Sequence, residues 1–200
     1  MRRNLVFVGG LALALALALV ARAMRAPPHL PVLGVVPAFH LQDERGAPFG
    51  NDALFGHVSV IDFVFTRCTS SCPRLTARMA ELQARLKKDG SAAKLVSISV
   101  DPENDTPAVL AAYAAKAGAD PARWTFVTGP VDAVTRAVVL GFKMSAVKVY
   151  MDAGDYDVTH GNWFVLADGE GGIRGYYPTE EKADFEKLVA DTERLEKEKR

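Results

Sequence analysis

The sequence predicts one α/β domain whose central sheet is covered by helices on both faces. The first observation is a nearly continuous apolar run at Val58–Phe65, which is typical of a central strand buried on both sides. The second is the alternation of strand-like and helix-like segments along the rest of the chain. The third is a cysteine pair, Cys68 and Cys72, directly after the apolar run, where sheets of this class carry reactive groups.

The amino-terminal residues differ in composition from this domain. Arg2 and Arg3 precede an uncharged apolar run at Leu5–Ala21. We interpret residues 1–25 as a membrane anchor or a signal peptide, and we favour the uncleaved anchor. Either segment directs the domain to the extracytoplasmic face of a membrane, which in a bacterium is the periplasmic side of the inner membrane. Cleavage would instead give a secreted soluble form.

A proline-rich segment separates the apolar run from the domain. Prolines fix the backbone and suit an extended tether, which we assign to residues 26–34, with the folded domain at 35–200. Two short apolar segments, around Phe39–Leu41 and Phe49, flank the turn-forming residues 43–46. This pattern predicts a hairpin at the start of the domain.

The segment after the cysteines predicts an amphipathic helix. Pro73 suits the first helical position, so the helix should open at Cys72 and continue to about residue 87. One helical face carries Leu75, Met79, Leu82 and Leu86. We expect both cysteines to be exposed at the start of this helix. Because helix N-termini carry partial positive charge, we also expect the cysteines to favour the thiolate form.

A second strand and helix follow. Lys94–Val100 alternates as a strand, and Thr106 should cap a helix over Ala108–Lys116. Asp101 and Asp105 lie in the intervening loop. They could dock a partner, but we favour a role in capping the same helix.

The carboxyl-terminal half continues the alternation with a short strand, Trp124–Val127, and a helix, Pro130–Leu140. Gly161–Ala167 and Ile173–Tyr177 predict a hairpin around a glycine-rich turn. Thr179 should cap the last helix. Its inner face is expected to consist of Phe185, Leu188, Val189, Thr192 and Leu195.

The charge balance and the cysteine content limit the classes of function that the chain can have. The 24 basic and 24 acidic residues balance, so the chain lacks the electrostatic footprint of a nucleic-acid-binding protein. The two cysteines are the only ones in the chain. Outside the cytoplasm they would form a disulfide by default, unless a reductant or a metal intervenes.

The cysteine pair could hold a soft metal, and a histidine would complete the site. Cu(I) prefers thiolates, so two sulfurs and one imidazole suffice for it. His29, His40 and His57 are expected to be surface or packing residues. His160 directly precedes an apolar strand, so it lies at a strand end as the cysteines do, and we select it as the third ligand. Zinc is a weaker alternative.

The order of elements favours a thioredoxin-like architecture, and three segments carry a more specific resemblance. They are Asp62–Pro73, with its CxxxCP element, Val96–Pro107 and Val158–Asp168. On these segments, which span nearly the whole predicted domain, the chain resembles the Sco/SenC family.

This resemblance implies a thioredoxin-like fold with a central mixed sheet flanked by helices and preceded by a membrane segment. It implies copper bound by Cys68, Cys72 and His160, as Cu(I), with Cu(II) as a second form to consider. The implied role is to deliver copper to the binuclear copper site of cytochrome oxidase, or to keep that site reduced. The implied partners are the oxidase subunit that holds this site or another copper acceptor, together with thiol reductants and copper donor proteins.

Two alternatives use the same sulfurs without a metal. In a thiol:disulfide oxidoreductase, the more exposed Cys68 would attack a partner disulfide and Cys72 would resolve the mixed intermediate. Peroxide reduction by Cys68, as in the related peroxiredoxins, is the least favoured alternative.

Overall fold

The computed structural model describes residues 29–68, 72–150, 156–160 and 162–198, with the backbone alone at 146–150 and 156–160. The predicted membrane segment, residues 1–25, and the first part of the tether lie outside these ranges. Among the described helices, none has the length and apolar character needed to cross a bilayer.

The described elements include the predicted ones in their predicted order, together with β1, β7 and β8, which were not predicted. The strands are β1 Gly34–Val35, β2 His40–Asp43, β3 Pro48–Gly50, β4 Ser59–Val64, β5 Lys94–Ser99, β6 Trp124–Thr128, β7 Ala146–Tyr150, β8 Tyr156–His160, β9 Trp163–Ala167 and β10 Gly172–Pro178. The helices are α1 Cys72–Lys88, α2 Pro107–Ala117, α3 Val131–Thr135 and α4 Lys182–Glu198. A 3₁₀ turn covers Asn51–Leu54, and a π-helical segment, Arg136–Gly141, continues α3.

The main sheet has the strand order β1-β10-β9-β4-β5-β6-β2-β3. Its centre is parallel, because β4 pairs with β5 and β5 with β6 in the same direction. The outer strands, including β9 against β4, are antiparallel. This mixed sheet confirms the predicted fold class. Strands β7 and β8 form a separate antiparallel pair.

Apolar side chains cover both faces of the sheet, as the Val58–Phe65 run predicts. Val60 and Val64 join α1, α2 and α4 in one buried cluster. Ile61 and Phe63 point to the opposite face and join a second cluster with α3 and the amino-terminal hairpin. Because side chains alternate along a strand, Asp62 faces the α1 side, between Val60 and Val64.

Helix α2 has the predicted start. The Thr106 hydroxyl accepts a hydrogen bond from the Val109 N–H at 3.4 Å, and Pro107 occupies the first turn, where no N–H is needed. The helix ends at Gly118, whose φ of 70° is the left-handed conformation that glycine adopts without strain. Local sequence therefore determines both ends of this helix.

The last helix begins later than predicted. Helix α4 starts at Lys182, so the expected Thr179 cap is wrong. The Thr179 hydroxyl and N–H instead donate to the Asn162 carbonyl, at 3.2 Å and 3.1 Å. The predicted inner face is confirmed, because all five of its residues are buried.

Candidate metal centre

The cysteine pair lies at the carboxyl end of the parallel strands. Cys68 follows β4 by four residues, and Cys72 is the first residue of α1, as predicted. The two side chains are 9% and 0% exposed, so the prediction that both are exposed is wrong. They pack with Phe65 and Val100 in a small apolar cluster beyond the ends of β4 and β5.

Hydrogen bonds link Cys68 to Cys72 and to the residues at the end of β4. The Cys72 N–H donates to Cys68 Sγ at 3.3 Å, and the Cys68 N–H donates to the Phe65 carbonyl at 3.3 Å. Both residues are free cysteines in this structure. The Cys68 sulfur accepts from one of the N–H groups that an α-helix leaves unpaired at its start. Two soft donors joined in this way suit a single thiophilic metal ion.

Burial dominates the ionisation of the second cysteine. It raises the pKa of the Cys72 thiol well above its ordinary value, and the nearby Cys68 and Asp62 raise it further, against a backbone hydrogen bond from Phe65 that lowers it. The expectation that the helix N-terminus favours the thiolate is therefore wrong for Cys72. Its proton must leave before the sulfur can bind a metal or attack a disulfide.

The buried carboxylate of Asp105 holds Thr66, in the segment between β4 and Cys68. One Asp105 oxygen accepts the Thr66 hydroxyl at 2.5 Å, and the other accepts the Ser99 hydroxyl at 2.6 Å. The Thr66 N–H also donates to this carboxylate, at 3.2 Å and 3.3 Å from its two oxygens. Asp105 is fully buried. The capping role expected for Asp105 is wrong, because its described contacts tie the loop after β5 to a residue two positions before Cys68.

An outer layer of contacts reinforces this link. Arg67 Nη1 donates to Asn104 Oδ1 at 3.2 Å, and Asn104 Nδ2 donates to the Asp101 carboxylate at 3.1 Å and 3.2 Å. Arg67 lies on the surface, whereas Asp101 is buried. The loop that follows β5 therefore contacts the segment before Cys68 twice, once through the buried Asp105 and once at the surface through Asn104.

A second buried carboxyl lies on β4. Asp62 is fully buried, and its Oδ1 accepts the Ser97 hydroxyl at 2.5 Å across the β4–β5 register. Ser97 in turn accepts from Trp124 Nε1 at 2.9 Å. Asp62 Oδ2 has no hydrogen-bond partner among the described residues. Burial raises the pKa of Asp62 to about 7.

The chain places the His160 backbone near the same end of the sheet as the cysteines. His160 ends β8, opposite Ala146 of β7, and β9 begins three residues later, at Trp163. Because β9 runs antiparallel to β4, the start of β9 lies at the end of the sheet where β4 finishes. The His160 side chain lies outside the described part of the structure. Among the side chains that are described, no three His, Cys, Asp or Glu residues form a metal-binding group.

The other three histidines lie elsewhere in the fold. His57 precedes β4, at the end of that strand remote from Cys68, and His40 opens β2. His29 Nδ1 lies 3.2 Å from Glu198 Oε1, against the end of α4. These positions agree with the surface or packing roles predicted for them.

Sequence reasoning missed Asp62 and the contacts of Asp105. For Asp62 a signal existed, since it is the single charged residue within the apolar run at Val58–Phe65. A charged residue in a strand covered on both faces must find a partner or change its pKa. For Asp105 the pairing with Thr66 spans 39 residues, and no local pattern indicates it.

Comparison with known proteins identifies the family. A model of the SCO1/SenC family matches residues 31–197. The crystal structure of a SCO1/SenC family lipoprotein from Bacillus anthracis is 32% identical, with a TM-score of 0.74, over 82% of this chain and 96% of that one. The copper-bound structure of Bradyrhizobium japonicum ScoI is 26% identical, with a TM-score of 0.70, over 81% and 99%.

A third structure links the fold to a named process. BsSco, described as a member of the Sco family of cytochrome c oxidase assembly proteins with a disulfide switch, is 30% identical, with a TM-score of 0.72. The match covers 84% of this chain and 96% of BsSco. With its mixed sheet, its flanking helices and its cysteine pair at the end of β4, the chain belongs to the SCO1/SenC family and has the Sco-like thioredoxin fold.

Proposed function

We propose that this protein binds copper through Cys68, Cys72 and His160, and that it delivers copper to the binuclear copper site of cytochrome c oxidase or keeps the thiols of that site reduced. The observation that carries the proposal is the position of the two thiols. A hydrogen bond from the Cys72 N–H to Cys68 Sγ joins them beyond the end of β4, and His160 precedes β9, which starts at that same end of the sheet.

The relatives support the copper assignment. Bradyrhizobium japonicum ScoI has been seen with copper bound, and BsSco belongs to a family of cytochrome c oxidase assembly proteins. Both match this chain over four fifths of its length or more. Thiolate and imidazole donors also agree with the preference of Cu(I) for soft ligands.

The environment of Cys72 sets a condition on copper uptake. Because burial keeps this thiol protonated, copper binding must release its proton. Uptake should therefore strengthen as the pH rises. His160, on the strand pair β7–β8, would complete the site, and the exchange of that ligand for one from the acceptor would begin transfer.

The proposal includes a membrane tether. Residues 1–25 would anchor the chain, and residues 35–200 would form the copper-handling domain on the extracytoplasmic face. Residues 26–34 would link the two, and the end of this link pairs with β10 through Leu33 and Gly34. The apolar run at Leu5–Ala21 supports the anchor, and the Bacillus anthracis relative is a lipoprotein. Protease protection of the full chain in membrane vesicles, with and without detergent, tests this arrangement.

Copper titration tests the site. The reduced full-length chain is titrated anaerobically with Cu(I) against a competing chelator. We expect one copper per chain in the wild type, loss of at least about a hundredfold in affinity for Cys68→Ser and Cys72→Ser, and at least about a tenfold loss for His160→Ala. His57→Ala is the matched control, because His57 lies at the other end of β4, and it should bind copper as the wild type does.

Two results would contradict the proposal. Copper binding no tighter than the chelator would exclude a copper-handling role. An unchanged affinity in His160→Ala would remove that residue from the ligand set. Transfer is then measured from the loaded chain to a soluble copper-site domain of the oxidase.

A thiol:disulfide oxidoreductase is the second candidate, and the difference in exposure between the two sulfurs favours it. Cys68 retains 9% exposure and Cys72 none, which is the asymmetry of an attacking and a resolving thiol. Reduction of a partner disulfide would persist in His160→Ala and in the presence of a strong copper chelator. Copper delivery would not persist under either condition.

A further inference from the structure

The exposed part of Cys68 opens into a groove between α1 and α2. The groove has a volume of about 460 Å³. Its described lining consists of Thr66, Cys68, Pro73, Thr76, Ala77, Ala80, Tyr113, Lys116 and Ala117. Cys72 is fully buried and is not part of this lining. A molecule in the groove therefore meets Cys68.

The walls of the groove combine apolar side chains with the polar side chains of Thr66, Thr76, Tyr113 and Lys116. Ala77, Ala80 and Ala117 leave space where larger side chains would close the groove. The hydroxyls of Thr76 and Tyr113 lie 2.7 Å apart. Burial raises the pKa of Tyr113 to about 12, so at neutral pH this pair is an uncharged hydrogen-bonding group.

The charge at the rim favours an anion. Lys116 is exposed, and within the described residues it forms no ion pair, while the described lining contains no acidic side chain. A second cleft, of about 570 Å³, also lies along α1. Its described lining has Glu81 and Glu180 beside Arg74 and Arg78, and it contains no cysteine.

We propose that the α1–α2 groove binds a low-molecular-weight thiol that carries a carboxylate, or the disulfide of such a thiol, with its sulfur at Cys68 and its carboxylate at Lys116. The groove volume lies within the range of roughly 300–1,000 Å³ that is common for small-molecule sites. The inference deepens the proposed function, on which it rests, by naming a class of reductant for the cysteine pair.

The exchange balances in atoms and electrons. The thiolate of the small thiol attacks Cys68 Sγ of a Cys68–Cys72 disulfide, the S–S bond breaks, and Cys72 leaves and takes up a proton. A second small thiol attacks the bound thiol's sulfur in the mixed disulfide. Cys68 leaves as a thiol, and the small disulfide is released. Two small thiols thus supply two electrons and two protons to the cysteine pair.

Three disulfides that have two methylene groups between each sulfur and its end group test the charge preference. They are 3,3′-dithiodipropionate, which is anionic, bis(2-hydroxyethyl) disulfide, which is neutral, and cystamine, which is cationic. The full-length Cys72→Ser chain is reduced and mixed with each of them, so that the mixed disulfide at Cys68 accumulates and its rate of formation is read by mass spectrometry. This step passes through the same mixed disulfide as the proposed reduction.

Lys116→Glu should lower the rate with the anionic disulfide about fivefold and raise the rate with cystamine, while the neutral rate changes less than about twofold. Lys88→Glu makes the same charge change on an exposed residue near the end of α1 that is not part of the described lining. It should leave the order of the three rates unaltered. High salt should reduce the discrimination shown by the Lys116 side chain.

Filling the groove tests its shape. Ala80→Leu should lower the rates with all three disulfides at least about fivefold, because the added side chain enters the space beside Cys68. Ala84→Leu adds the same side chain to an exposed position of the same helix outside the described lining, and it should have no such effect. Urea unfolding of both variants separates a blocked groove from a damaged fold.

Equal rates for Lys116→Glu and Lys88→Glu, or an unchanged rate for a folded Ala80→Leu, would overturn the proposal. Copper titration of the same variants distinguishes this failure from failure of the proposed function. Weak copper binding together with charge-selective exchange would reject the copper role and retain the groove. Tight copper binding with unselective exchange would do the reverse.

Discussion

Asp105 and Asp62 are buried carboxyls near the cysteine pair, and they differ in the number of hydrogen bonds that they accept. Asp105, on the loop after β5, accepts the Thr66 hydroxyl and N–H and the Ser99 hydroxyl. Asp62, on β4, accepts one described hydrogen bond, from Ser97, and its Oδ2 has no described partner. Both side chains are 0% exposed.

The difference shows that burial by itself does not determine what a carboxyl contributes. Donors that face Asp105 offset part of the loss of water, so the group can hold two chain segments together. Burial removes the Asp62 carboxyl from water, and a single described hydrogen bond replaces that solvation. With a pKa of about 7, this carboxyl is half-protonated near neutral pH. Burial raises the pKa of both carboxyls, and the hydrogen bonds from Ser99 and Thr66 oppose that rise at Asp105. Asp62 should therefore make the larger contribution to the pH dependence of stability, whereas Asp105 should contribute mainly by joining two chain segments.

The largest expected effect is the pH dependence that arises from Asp62. Its folded-state pKa of about 7 lies above the unfolded value near 3.9, so the stability from this group is complete below about pH 4 and is lost as the pH rises through 7. Over that window the free energy of unfolding should fall by on the order of 4 kcal/mol. Asp62→Asn should remove this fall, as measured by urea unfolding of the metal-free chain from pH 4 to pH 8.

An exposed variant, Asp132→Asn, controls for the loss of one carboxyl group. The stability difference between Asp62→Asn and the wild type should grow with pH. A difference that stays constant from pH 4 to pH 8 would mean that Asp62 does not titrate in this range and would remove the contrast with Asp105.

Asp105→Ala tests the other member of the comparison. It leaves the buried donors of Thr66 and Ser99 without an acceptor, and the free energy of unfolding should fall by about 3 kcal/mol. Copper affinity should fall as well, because Thr66 lies two residues before Cys68. Asp105→Asn keeps an acceptor oxygen and should lose less. A loss below about 1 kcal/mol in the alanine variant would contradict the supporting role of this carboxylate.

Ser97→Ala should increase the difference between the two carboxyls, because it should make the charged form of Asp62 less stable in the folded protein. It removes the described donor to Asp62 and leaves the buried Trp124 indole N–H without its acceptor. We expect a loss of about 2 kcal/mol at pH 8 and a smaller loss at pH 5, where Asp62 is protonated. Urea unfolding followed by tryptophan fluorescence measures both values, and an equal loss at the two pH values would contradict the interpretation.

The smallest effect is expected at the surface layer. Arg67→Ala removes the exposed hydrogen bond to Asn104 and should change the free energy of unfolding by no more than about 0.5 kcal/mol. The same measurement applies. A loss similar to that of Asp105→Ala would show that the exposed contact contributes as much to stability as the buried carboxylate, and would contradict the predicted order of effects.

Most of the domain could be read from local patterns. The apolar run at Val58–Phe65 became β4, the amphipathic segment after it became α1, and the Thr106 cap starts α2 as predicted. Each depends on residues close in sequence. The π-helical continuation of α3 and the β7–β8 pair were not predicted, because their pairing and irregularity depend on packing rather than on a simple periodicity.

The candidate site divides in the same way. The CxxxCP spacing predicted a cysteine pair at a helix start, and α1 does begin at Cys72. The ligand set of Cys68, Cys72 and His160 stays a prediction, since the His160 side chain lies outside the described residues. The exposure of the cysteines and the lowered pKa expected for Cys72 were wrong, because a sequence pattern places a residue at a helix end without showing what packs over it.

The sequence by itself determined the order of the elements, the class of the fold, the family and the positions of two soft donors after a central strand. Only the tertiary structure decided the environment of those donors. Contacts spanning 35 residues, from Asp62 to Ser97, and 39 residues, from Thr66 to Asp105, created the buried carboxyls around them. Burial and pKa depend on which distant segments meet, and that is decided when the sheet assembles and excludes water.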